Sequence, residues 1–292
     1  NLSKVKVWMR EFLDKLQELI KKEEKFCVAT VVRTIGSTSA KAGSKMIIGK
    51  RGEVLYGWIG GGCAESSVID EALKAMRDGE TRFLNLSMED EITGTGMPCG
   101  GKMDVYIEPY LPNPKLLILG HGRIAETLCK LGKLMGFDVI VNDSLADESK
   151  FLDAKEVIKD DLNYDKIKVD EDTYVVILTM HKNDDKILKK VLGKGAKYIA
   201  LVASKNRTKI IFKYLLEDGI SEEMLREVNA PAGLDLEAKT PEEIALSIMA
   251  EIIMKRRGGT GRPLMEIKKV NLKEEEKEVN LKEKVEVVGL RC

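Results

Sequence analysis

The sequence predicts an α/β protein with two domains, a mixed α/β domain followed by a doubly wound parallel sheet. The first observation behind this prediction is the regular alternation of short β-branched runs with helical stripes, which is typical of α/β folds. The second is a proline-bearing linker at 111–114, which separates a domain at 1–110 from a domain at 115–258. A charged tail at 259–292 follows them. With 292 residues, the chain is long enough to bury two cores.

The first domain begins with a predicted amphipathic helix. Apolar residues between positions 5 and 20 recur at three- and four-residue steps, so one face of this helix is expected to pack against a sheet. β-branched runs bounded by turn residues predict the strands of that sheet, at 26–33, 44–48, 54–59, 81–86 and 102–108. A second helix is predicted at 64–78, between the third and the fourth strand. The domain is therefore predicted to be mixed α/β.

In the second domain, strands and helices alternate. The predicted strands are 115–119, 137–141, 156–158, 174–179 and 198–202, with helices after the first, the fourth and the fifth of them. The last helix of the chain has the clearest boundaries, with Thr240 as its N-cap and Gly258 beyond its basic end. This alternation predicts a doubly wound parallel sheet.

Composition narrows the class of protein. The 48 basic and 48 acidic residues give a formal charge of zero, so we expect no nucleic-acid binder and no binder of anionic membranes. No apolar run approaches the length of about 20 residues needed to span a membrane, and residues 1–10 lack the pattern of a secretory leader. The absence of a CxxC pair argues against a closed structural zinc site. Because five cysteines are an odd number, a complete disulfide framework is excluded, which predicts a reduced compartment. We therefore expect a cytoplasmic protein.

The sequence GHGRIA at 120–125 matches the G-x-G-x-x-A pattern of a Rossmann-like nucleotide-binding turn. Its glycines permit a tight turn that brings N–H groups at a helix start to a pyrophosphate, so Gly120, Gly122 and Arg123 are candidate phosphate contacts. The next predicted strand ends near Asp143, 23 residues after Gly120, where an acid is expected to bind a ribose hydroxyl. The alternative is a turn that only supports the fold.

The densest glycine run of the first domain leads into its second helix. In the segment GWIGGGCAE, three glycines precede a cysteine and a glutamate follows it: Gly60, Gly61, Gly62, Cys63 and Glu65. The positive end of the helix dipole and the unpaired N–H groups favour a thiolate there, so Cys63 is a candidate nucleophile or soft-metal ligand. Alternatively, Cys63 packs as a small apolar residue.

Two further glycine-bearing loops are candidate ligand contacts. The segment MPCGG contains Cys99, the candidate partner of the first cysteine, followed by Gly100 and Gly101, whose backbone permits a close approach to a ligand. After the first strand, Gly36 and Ser37 open a polar loop whose hydroxyls and lysines would suit an anion. An ordinary surface loop explains this second segment equally well.

Three other residues are candidates for chemistry or for packing. His181 follows a parallel-type strand, at the edge where open α/β sheets bind ligands, so it could serve as acid, base or polar anchor. A single unpaired histidine is also often a surface residue. Cys27 and Cys129 lie in regular apolar segments, and we predict that both pack in cores.

Five longer segments stand in the order and at the spacing of one protein family. They are GST…GSKM, GWIGGGCAE, MPCGGKMDVYIEP, GHGRIAETL and PAGLDLEAKTPEEIALSIMAEII. Together they resemble the XdhC/CoxI family over residues 26–258, and several long motifs in register are more specific than one glycine pattern. The resemblance implies an XdhC/CoxI module for the first domain and a Rossmann module for the second.

The resemblance also implies a function in maturing molybdenum hydroxylases such as xanthine dehydrogenase. Members of this family are understood to bind molybdenum cofactor, to assist its sulfuration together with a cysteine desulfurase, and to support its insertion into the apo molybdenum hydroxylase. By this resemblance, Cys63 and Cys99 lie near the metal, with Cys63 as its ligand. The glycine turn then holds a phosphate of molybdopterin or of its dinucleotide form. Because neither domain supplies both ends of such a site, we expect the two to share it, within one chain or across a homodimer.

The chain departs from the family pattern at three motifs. It reads Gly-Ser-Thr-Ser at 36–39 where the family reads Gly-Ser-Pro-Arg, Thr-Met-His at 179–181 where the family reads Thr-His-Asp, and Ala-Ser-Lys at 203–205 where the family reads Gly-Ser-Arg. Lysine cannot reproduce the planar, bidentate grip of arginine on a phosphate. The departures therefore bear on which ligand binds and how tightly.

Two other classes of function stay open on the residues alone. An NAD(P)-dependent oxidoreductase would use the Rossmann domain for hydride transfer, with His181 as proton donor. A redox-sensing protein would form a reversible disulfide between Cys63 and Cys99. Bound molybdopterin, detected as a fluorescent oxidation product, separates a maturation factor from an enzyme that retains a nicotinamide nucleotide.

Overall fold

The structure is a computed structural model, and it describes residues 2–87, 101–179 and 183–268, with side chains from residue 7 onward apart from those of Cys63 and Ser87. Its contacts divide the chain into two compact units, Asn1–Asn113 and Pro114–Cys292. Each unit has a sheet with helices packed on both of its faces. Each unit therefore buries a core of its own.

The first unit is built on an antiparallel sheet. In chain order its elements are α1 (Leu2–Lys21), β1 (Phe26–Ile35), β2 (Lys45–Gly49), β3 (Val54–Gly57), α2 (Gly62–Asp78), β4 (Arg82–Ser87) and β5 (Lys102–Tyr110). Within the described ranges the strand order is β3-β2-β1-β5-β4, and every neighbouring pair is antiparallel. The predicted mixed α/β fold is confirmed, with element ends that differ from the prediction by at most three residues.

Alternate side chains of β1 face opposite sides of this sheet. Cys27, Ala29 and Val31 lie in the core that the sheet forms with α2. Phe26 and Val28 lie in the core that it forms with α1. A strand with both faces covered requires apolar residues at both alternations, which explains the continuous apolar run of β1. The predicted packing of the first helix against a sheet is confirmed.

A buried carboxylate ties three strands together near one end of the sheet. Asp104 of β5 is 3% exposed, and it accepts hydrogen bonds from Arg33 Nε of β1 at 2.6 Å and from Asn85 Nδ2 of β4 at 2.5 Å. Both partners lie directly opposite Asp104 in the strand register. Bonds to a charged acceptor are stronger than neutral ones, so this cross-strand set stabilises the register.

The second unit is built on a parallel sheet. In chain order its elements are β6 (Lys115–Gly120), α3 (Arg123–Leu134), β7 (Asp138–Asn142), β8 (Glu156–Ile158), β9 (Thr173–Leu178), α4 (Asp184–Val191), β10 (Tyr198–Leu201), α5 (Lys205–Glu217), α6 (Glu222–Arg226), β11 (Val228–Asn229), α7 (Pro241–Arg257) and α8 (Leu264–Ile267). In the part of this unit that is described, the strands lie in the order β11-β10-β9-β6-β7-β8, all neighbours being parallel. If the strands of this unit are numbered 1 to 6 from β6 to β11, their order from the β8 edge is 3-2-1-4-5-6. This is the strand order of a Rossmann sheet. The predicted Rossmann-like fold is confirmed.

Helices cover both faces of the parallel sheet. In the central strand β6, Leu116 and Ile118 lie in the core formed with α3 and α7, whereas Leu117 and Leu119 lie in the core formed with α4 and α5. All four side chains are at most 1% exposed. Because β6 pairs with a parallel strand on each side, it is an interior strand of the doubly wound sheet, as predicted.

Besides a 3-10 turn at Glu148–Lys150, three short elements are absent from the sequence prediction. The helices α6 and α8 span five and four residues, and the strand β11 spans two. Such elements are too short for a helical or strand period to register in the sequence. Pairing with β10 places β11 at the edge of the sheet, so tertiary contact defines this strand.

The predicted boundaries of the last long helix, α7, are confirmed. Thr240 Oγ1 accepts a hydrogen bond from the backbone N–H of Glu243, and the Glu243 carboxylate accepts one from the backbone N–H of Thr240. Gly258 ends the helix in the left-handed conformation with φ 70°. Neither α7 nor any other helix in the described ranges is long and apolar enough to cross a membrane.

The segment that leads into α7 is anchored on a glutamate of that helix. Glu251 Oε2 accepts hydrogen bonds from the Tyr198 hydroxyl at 2.6 Å and from the backbone N–H of Gly233 at 2.8 Å. Gly233 has φ 99°, and a Cβ at this position would collide with the Ser247 hydroxyl. The motif PAGLDLEAKTPEEIALSIMAEII therefore includes residues that hold α7 against the sheet.

Cys27 and Cys129 are fully buried thiols, one in each unit. Cys27 Sγ donates a hydrogen bond to the backbone oxygen of Ala72 at 3.3 Å. Burial raises the pKa of Cys27 to about 12 and the pKa of Cys129 to about 11, because a thiolate loses its hydration in an apolar core. The prediction that both residues pack in cores is confirmed.

These raised pKa values predict a loss of stability at alkaline pH. The unfolded chain loses its thiol protons near the ordinary pKa of 9.0, whereas burial keeps both thiols protonated in the folded chain. The unfolded state then binds fewer protons, so the free energy of unfolding should fall above pH ~9 by up to about 1.4 kcal/mol per thiol and pH unit. Denaturant unfolding between about pH 8 and about pH 11 measures this slope. A variant carrying Cys27→Ala and Cys129→Ala should have a shallower slope, and equal slopes would contradict the assignment.

Candidate functional site

The turn after β6 requires glycine at its first position. Gly120 has φ 138°, and a Cβ there would collide with the backbone oxygen of Leu178 in the neighbouring strand β9. Gly122 has φ 92° and is the N-cap of α3, with no side chain bonded to the start of the helix. The N–H groups of the first helical turn are therefore left for another acceptor, which is the arrangement that binds a phosphate.

This turn lies at the switch point of the parallel sheet. Strand β6 pairs with β7 on one side and with β9 on the other. The helices that follow β6 and β9, α3 and α4, pack on opposite faces of the sheet. Open α/β sheets bind ligands at such a switch point, beyond the carboxyl ends of their strands. Side chains at these strand ends are therefore the candidate contacts.

An aspartate and a histidine meet beside the turn. Asp143 directly follows β7, and its Oδ1 lies 3.1 Å from Nδ1 of His121 and accepts the backbone N–H of Leu145 at 2.8 Å. Among the described residues, Nδ1 of His121 is buried and makes no hydrogen bond. Nδ1 of His121 nevertheless has the Asp143 carboxylate within ion-pair distance, and a carboxylate at this position can accept hydrogen bonds from ribose hydroxyls. The turn and Asp143 thus fit the phosphate and the ribose of a nucleotide.

Arg123 is engaged by a neighbouring helix. It is the first residue of α3, and its Nη2 lies 2.6 Å from Glu242 Oε1 at the start of α7. The pKa of Glu242 is lowered, first by the bond from its own backbone N–H and then by Arg123. A phosphate at the turn would have to compete with Glu242 for this guanidinium, so the predicted phosphate contact of Arg123 stays a prediction.

A second polar cluster follows β9 and β10. Asp184, the first residue of α4, accepts hydrogen bonds from the Thr179 hydroxyl and from the guanidinium of Arg207 in α5. His181, which is predicted in this segment, lies outside the described residues. Asp184 and Arg207 were not among the predicted site residues. These two residues are 23 positions apart on different helices, and an acid shortly after a strand end is the one signal that points to them.

In the first unit, the structure brings three predicted loops together. The Ser39 hydroxyl donates a hydrogen bond to the backbone oxygen of Gly60 at 3.0 Å, which joins the loop after β1 to the glycine run before α2. Gly101 lies against the same loop, because a Cβ at Gly101 would collide with the backbone oxygen of Ser37. The loop after β1 opens at Gly36, with φ 72°. Gly60, in the glycine run, and Gly101 therefore both lie against residues 37–39.

The glycine run leads directly into α2. Gly60, Gly61 and Gly62 all have positive φ, at 125°, 71° and 62°, which other residues rarely adopt. No side chain caps the helix, Cys63 is its second residue, and Glu65 lies in its first turn. The backbone at Cys63 thus lies at the positive end of the helix dipole, where a thiolate is favoured over a thiol.

Part of the predicted site falls outside the described residues. Cys99, Gly100 and His181 are among these, and the side chain of Cys63 is not described. In the ranges that are described, no three His, Cys, Asp or Glu side chains are grouped as ligands for a metal ion. The metal contact of Cys63 and the roles of Cys99 and His181 stay predictions.

Several known proteins are similar to this chain. "Uncharacterized protein YqeB" of Escherichia coli (strain K12) is 29% identical over 85% of this chain and 47% of its own length, so the chain spans about half of that relative. A Bacillus subtilis (strain 168) protein, named as a probable subunit of xanthine dehydrogenase, is 24% identical over 85% of this chain and 98% of its own length. "Molybdenum cofactor insertion chaperone PaoD" of Escherichia coli (strain K12) is 22% identical over 77% of this chain and 81% of its own length. A crystal structure described as a xanthine dehydrogenase from Bacillus halodurans is 23% identical, with 84% of this chain and 95% of that chain covered and a TM-score of 0.45.

Two family models match the chain, in the order of its two units. The model of the XdhC and CoxI family matches residues 19–87, which include the glycine run and the start of α2. The model of the XdhC Rossmann domain matches residues 116–252, which include the glycine turn and the parallel sheet. Both models are parts of one family, and each matches the unit whose fold it describes. The chain therefore belongs to the XdhC and CoxI family.

Proposed function

We propose that this chain is an accessory protein for molybdenum hydroxylases of the xanthine dehydrogenase type. In this proposal it binds molybdenum cofactor, as molybdopterin or its dinucleotide form. It assists the sulfuration of that cofactor by a cysteine desulfurase and supports its insertion into the apo-hydroxylase. Family membership supports the proposal, and so do the names of two relatives, which refer to molybdenum cofactor insertion and to xanthine dehydrogenase.

The observation that carries this proposal is that the loop after β1 contacts both Gly60, in the glycine run before α2, and Gly101. Ser39 bonds to the loop before α2 and Ser37 lies against Gly101. Glycine backbone allows the close approach of a large ligand, and a helix start favours an anion or a thiolate. Soft sulfur suits molybdenum better than an oxygen side chain does, so Cys63 is the residue that we place near the metal. When bound, the cofactor supplies the metal centre at which sulfur is exchanged.

The second unit would bind the nucleotide end of the dinucleotide form. Backbone N–H groups at the start of α3 would donate hydrogen bonds to the pyrophosphate, and the Asp143 carboxylate would accept hydrogen bonds from ribose hydroxyls. These residues bind and orient the ligand, and none of them needs to take part in turnover chemistry.

Gly101→Ala tests the role of the loops. The added Cβ would collide with the Ser37 backbone oxygen, so the loop after β1 must move away from Gly101. When the variant is co-expressed with xanthine dehydrogenase, we expect hydroxylase activity per mole of hydroxylase to fall by about tenfold, equivalent to about 1.4 kcal/mol of lost binding. Far-UV circular dichroism should show an intact fold.

Gly79→Ala is the matched control for this experiment. Gly79 ends α2 at the end opposite Cys63, with φ 77°, so alanine there should cost about 1 kcal/mol of stability without touching the loops. We expect full activation of the hydroxylase by this variant. If Gly101→Ala activates as well as Gly79→Ala, the loops do not form the cofactor site.

A nicotinamide-dependent oxidoreductase is the alternative function, because the position of Asp143 beside the glycine turn suits any dinucleotide. Its predicted proton donor, His181, lies outside the described residues. This alternative requires that the purified chain oxidise or reduce a substrate with NAD(P). It also requires that hydroxylase activity not depend on co-expression of the chain.

A further inference from the structure

The helix that follows β10 begins with basic residues at the carboxyl edge of the parallel sheet. Lys205 is the first residue of α5, and Ser204 is the N-cap of that helix. The structure shows an arginine two residues later, in the same first turn: the backbone N–H of Arg207 donates to Ser204 Oγ at 3.3 Å. A planar guanidinium is therefore present in the first turn of α5.

A buried carboxylate holds the Arg207 side chain. Asp184 Oδ2 accepts hydrogen bonds from Arg207 Nε at 3.4 Å and from Nη2 at 3.3 Å, and Asp184 Oδ1 accepts one from the Thr179 hydroxyl. The Asp184 side chain is 5% exposed, whereas the Arg207 side chain is 34% exposed. Two contacts to one buried oxygen, both at the long end of hydrogen-bond distance, anchor the guanidinium, while part of the side chain reaches the surface.

The sheet topology places this pair next to the glycine turn. Thr179 directly follows β9, and Gly120 at the end of β6 lies opposite Leu178, the last residue of β9. Strand β10, which leads to Ser204, is the next strand along. The pair thus lies at the carboxyl edge, on the β9 side of the switch point, where the second half of a dinucleotide lies in Rossmann domains.

We propose that Arg207, held by Asp184, contacts a phosphate of the ligand bound at this edge. Asp184 is a positioning residue, because it contacts the guanidinium and not the ligand, and the Thr179 hydroxyl in turn holds the Asp184 carboxylate. This inference rests on the proposed function, which puts a phosphate-bearing ligand at the same edge. The phosphate belongs to a nucleoside diphosphate moiety or to the pterin, and the two sources share the chemistry that Arg207 recognises.

Isothermal titration of the full chain tests this contact. The probes are ADP, CDP and GDP, each paired with its own nucleoside, and molybdopterin released from a molybdenum hydroxylase as the pterin arm. Arg207→Lys keeps the charge but loses the planar fork, so we expect its affinity for the best phosphate-bearing probe to fall about tenfold. The affinity for the matching nucleoside should be unchanged. If only the affinity for the nucleotides falls, the phosphate that Arg207 contacts belongs to the nucleotide. If only the affinity for molybdopterin falls, it belongs to the pterin.

Two further variants separate binding from folding. Arg226→Lys on α6 is the matched control, because Arg226 also bonds to a carboxylate, Glu222, but lies on a surface helix turn. Asp184→Asn should lower the affinity for the phosphate-bearing probe as Arg207→Lys does. Combining the two substitutions should lower this affinity little further, since both act through one guanidinium.

The melting temperature of each variant is measured in parallel. If Arg207→Lys lowers the melting temperature but leaves all affinities unchanged, or if no diphosphate binds more tightly than its nucleoside and molybdopterin does not bind, the proposal is wrong. A variant that loses phosphate affinity while the unsubstituted chain fails to activate a hydroxylase would overturn the proposed function and leave this contact standing.

Discussion

Gly120→Ala is expected to lower the free energy of unfolding of the second unit by about 3 kcal/mol. The first cost is conformational, because φ 138° is a backbone conformation that side-chain-bearing residues rarely adopt. The second cost is steric, because the added Cβ would collide with the backbone oxygen of Leu178. This oxygen belongs to the strand that pairs with β6, so it cannot move without disturbing the centre of the sheet.

Gly136→Ala separates the two costs. Gly136 has φ 78°, and nothing lies within 4 Å of a Cβ built there, so only the conformational cost of about 1 kcal/mol applies. Both tryptophans, Trp8 and Trp58, lie in the first unit, so tryptophan fluorescence follows the unfolding of that unit while circular dichroism follows both. We expect Gly120→Ala to shift only the dichroism transition. Equal destabilisation by the two variants would show that the contact with Leu178 does not constrain residue 120.

Cys63→Ser is expected to lower the activation of a co-expressed xanthine dehydrogenase by at least about tenfold. The change is nearly isosteric, so the fold should survive, but a hydroxyl at the start of α2 is neither ionised near neutral pH nor a soft ligand. In the unsubstituted chain, Cys63 should also be the thiol that a small alkylating reagent modifies fastest near neutral pH. Peptide mapping by mass spectrometry after timed alkylation measures this rate.

Cys129→Ser is the control for a purely structural effect. It places a hydroxyl in a fully buried apolar site, which should cost about 1–3 kcal/mol of stability without a selective loss of hydroxylase activation. The Cys129 thiol, with its pKa raised to about 11, should resist alkylation in the folded chain. If Cys63 reacts no faster than a thiol in an unfolded peptide and its serine variant activates the hydroxylase normally, the role assigned to Cys63 is wrong.

Much of the fold follows from local patterns in the sequence. The run Leu116 to Leu119 is apolar at every position, as a strand with helices on both faces must be, and the structure buries all four side chains. Thr240 and Gly258 mark the ends of α7 because capping depends on residues next to the helix ends. The strand β11 could not be predicted, because two residues carry no period and only pairing with β10 defines it.

The candidate site was predictable where strand ends determine it. The glycine turn and Asp143 lie together because β6 and β7 are parallel neighbours, so their carboxyl ends meet at one edge. The pair of Asp184 and Arg207 was not predictable, since it joins two helices through a contact with no fixed spacing. Asp104 and Arg33 are a similar case, because their contact depends on the register between β1 and β5.

The assembly inferred from the family resemblance stays a prediction. A homodimer and a cysteine desulfurase partner both require a docking surface, and such surfaces have no fixed sequence pattern. Light scattering of the purified chain tests the homodimer. Pull-down of a tagged cysteine desulfurase, with Cys63→Ser as the comparison variant, tests the second partner.

In the proposed function, this chain holds molybdenum cofactor. The most direct measurement is the pterin and molybdenum content of the full chain, purified from a host that makes the cofactor. The bound material is released by denaturation, oxidised to the fluorescent pterin product and quantified beside elemental molybdenum. We predict near-stoichiometric molybdopterin in the unsubstituted chain and a marked loss in Gly101→Ala. A chain that carries nicotinamide nucleotide and no pterin, from a host whose hydroxylases contain the cofactor, would contradict the claim.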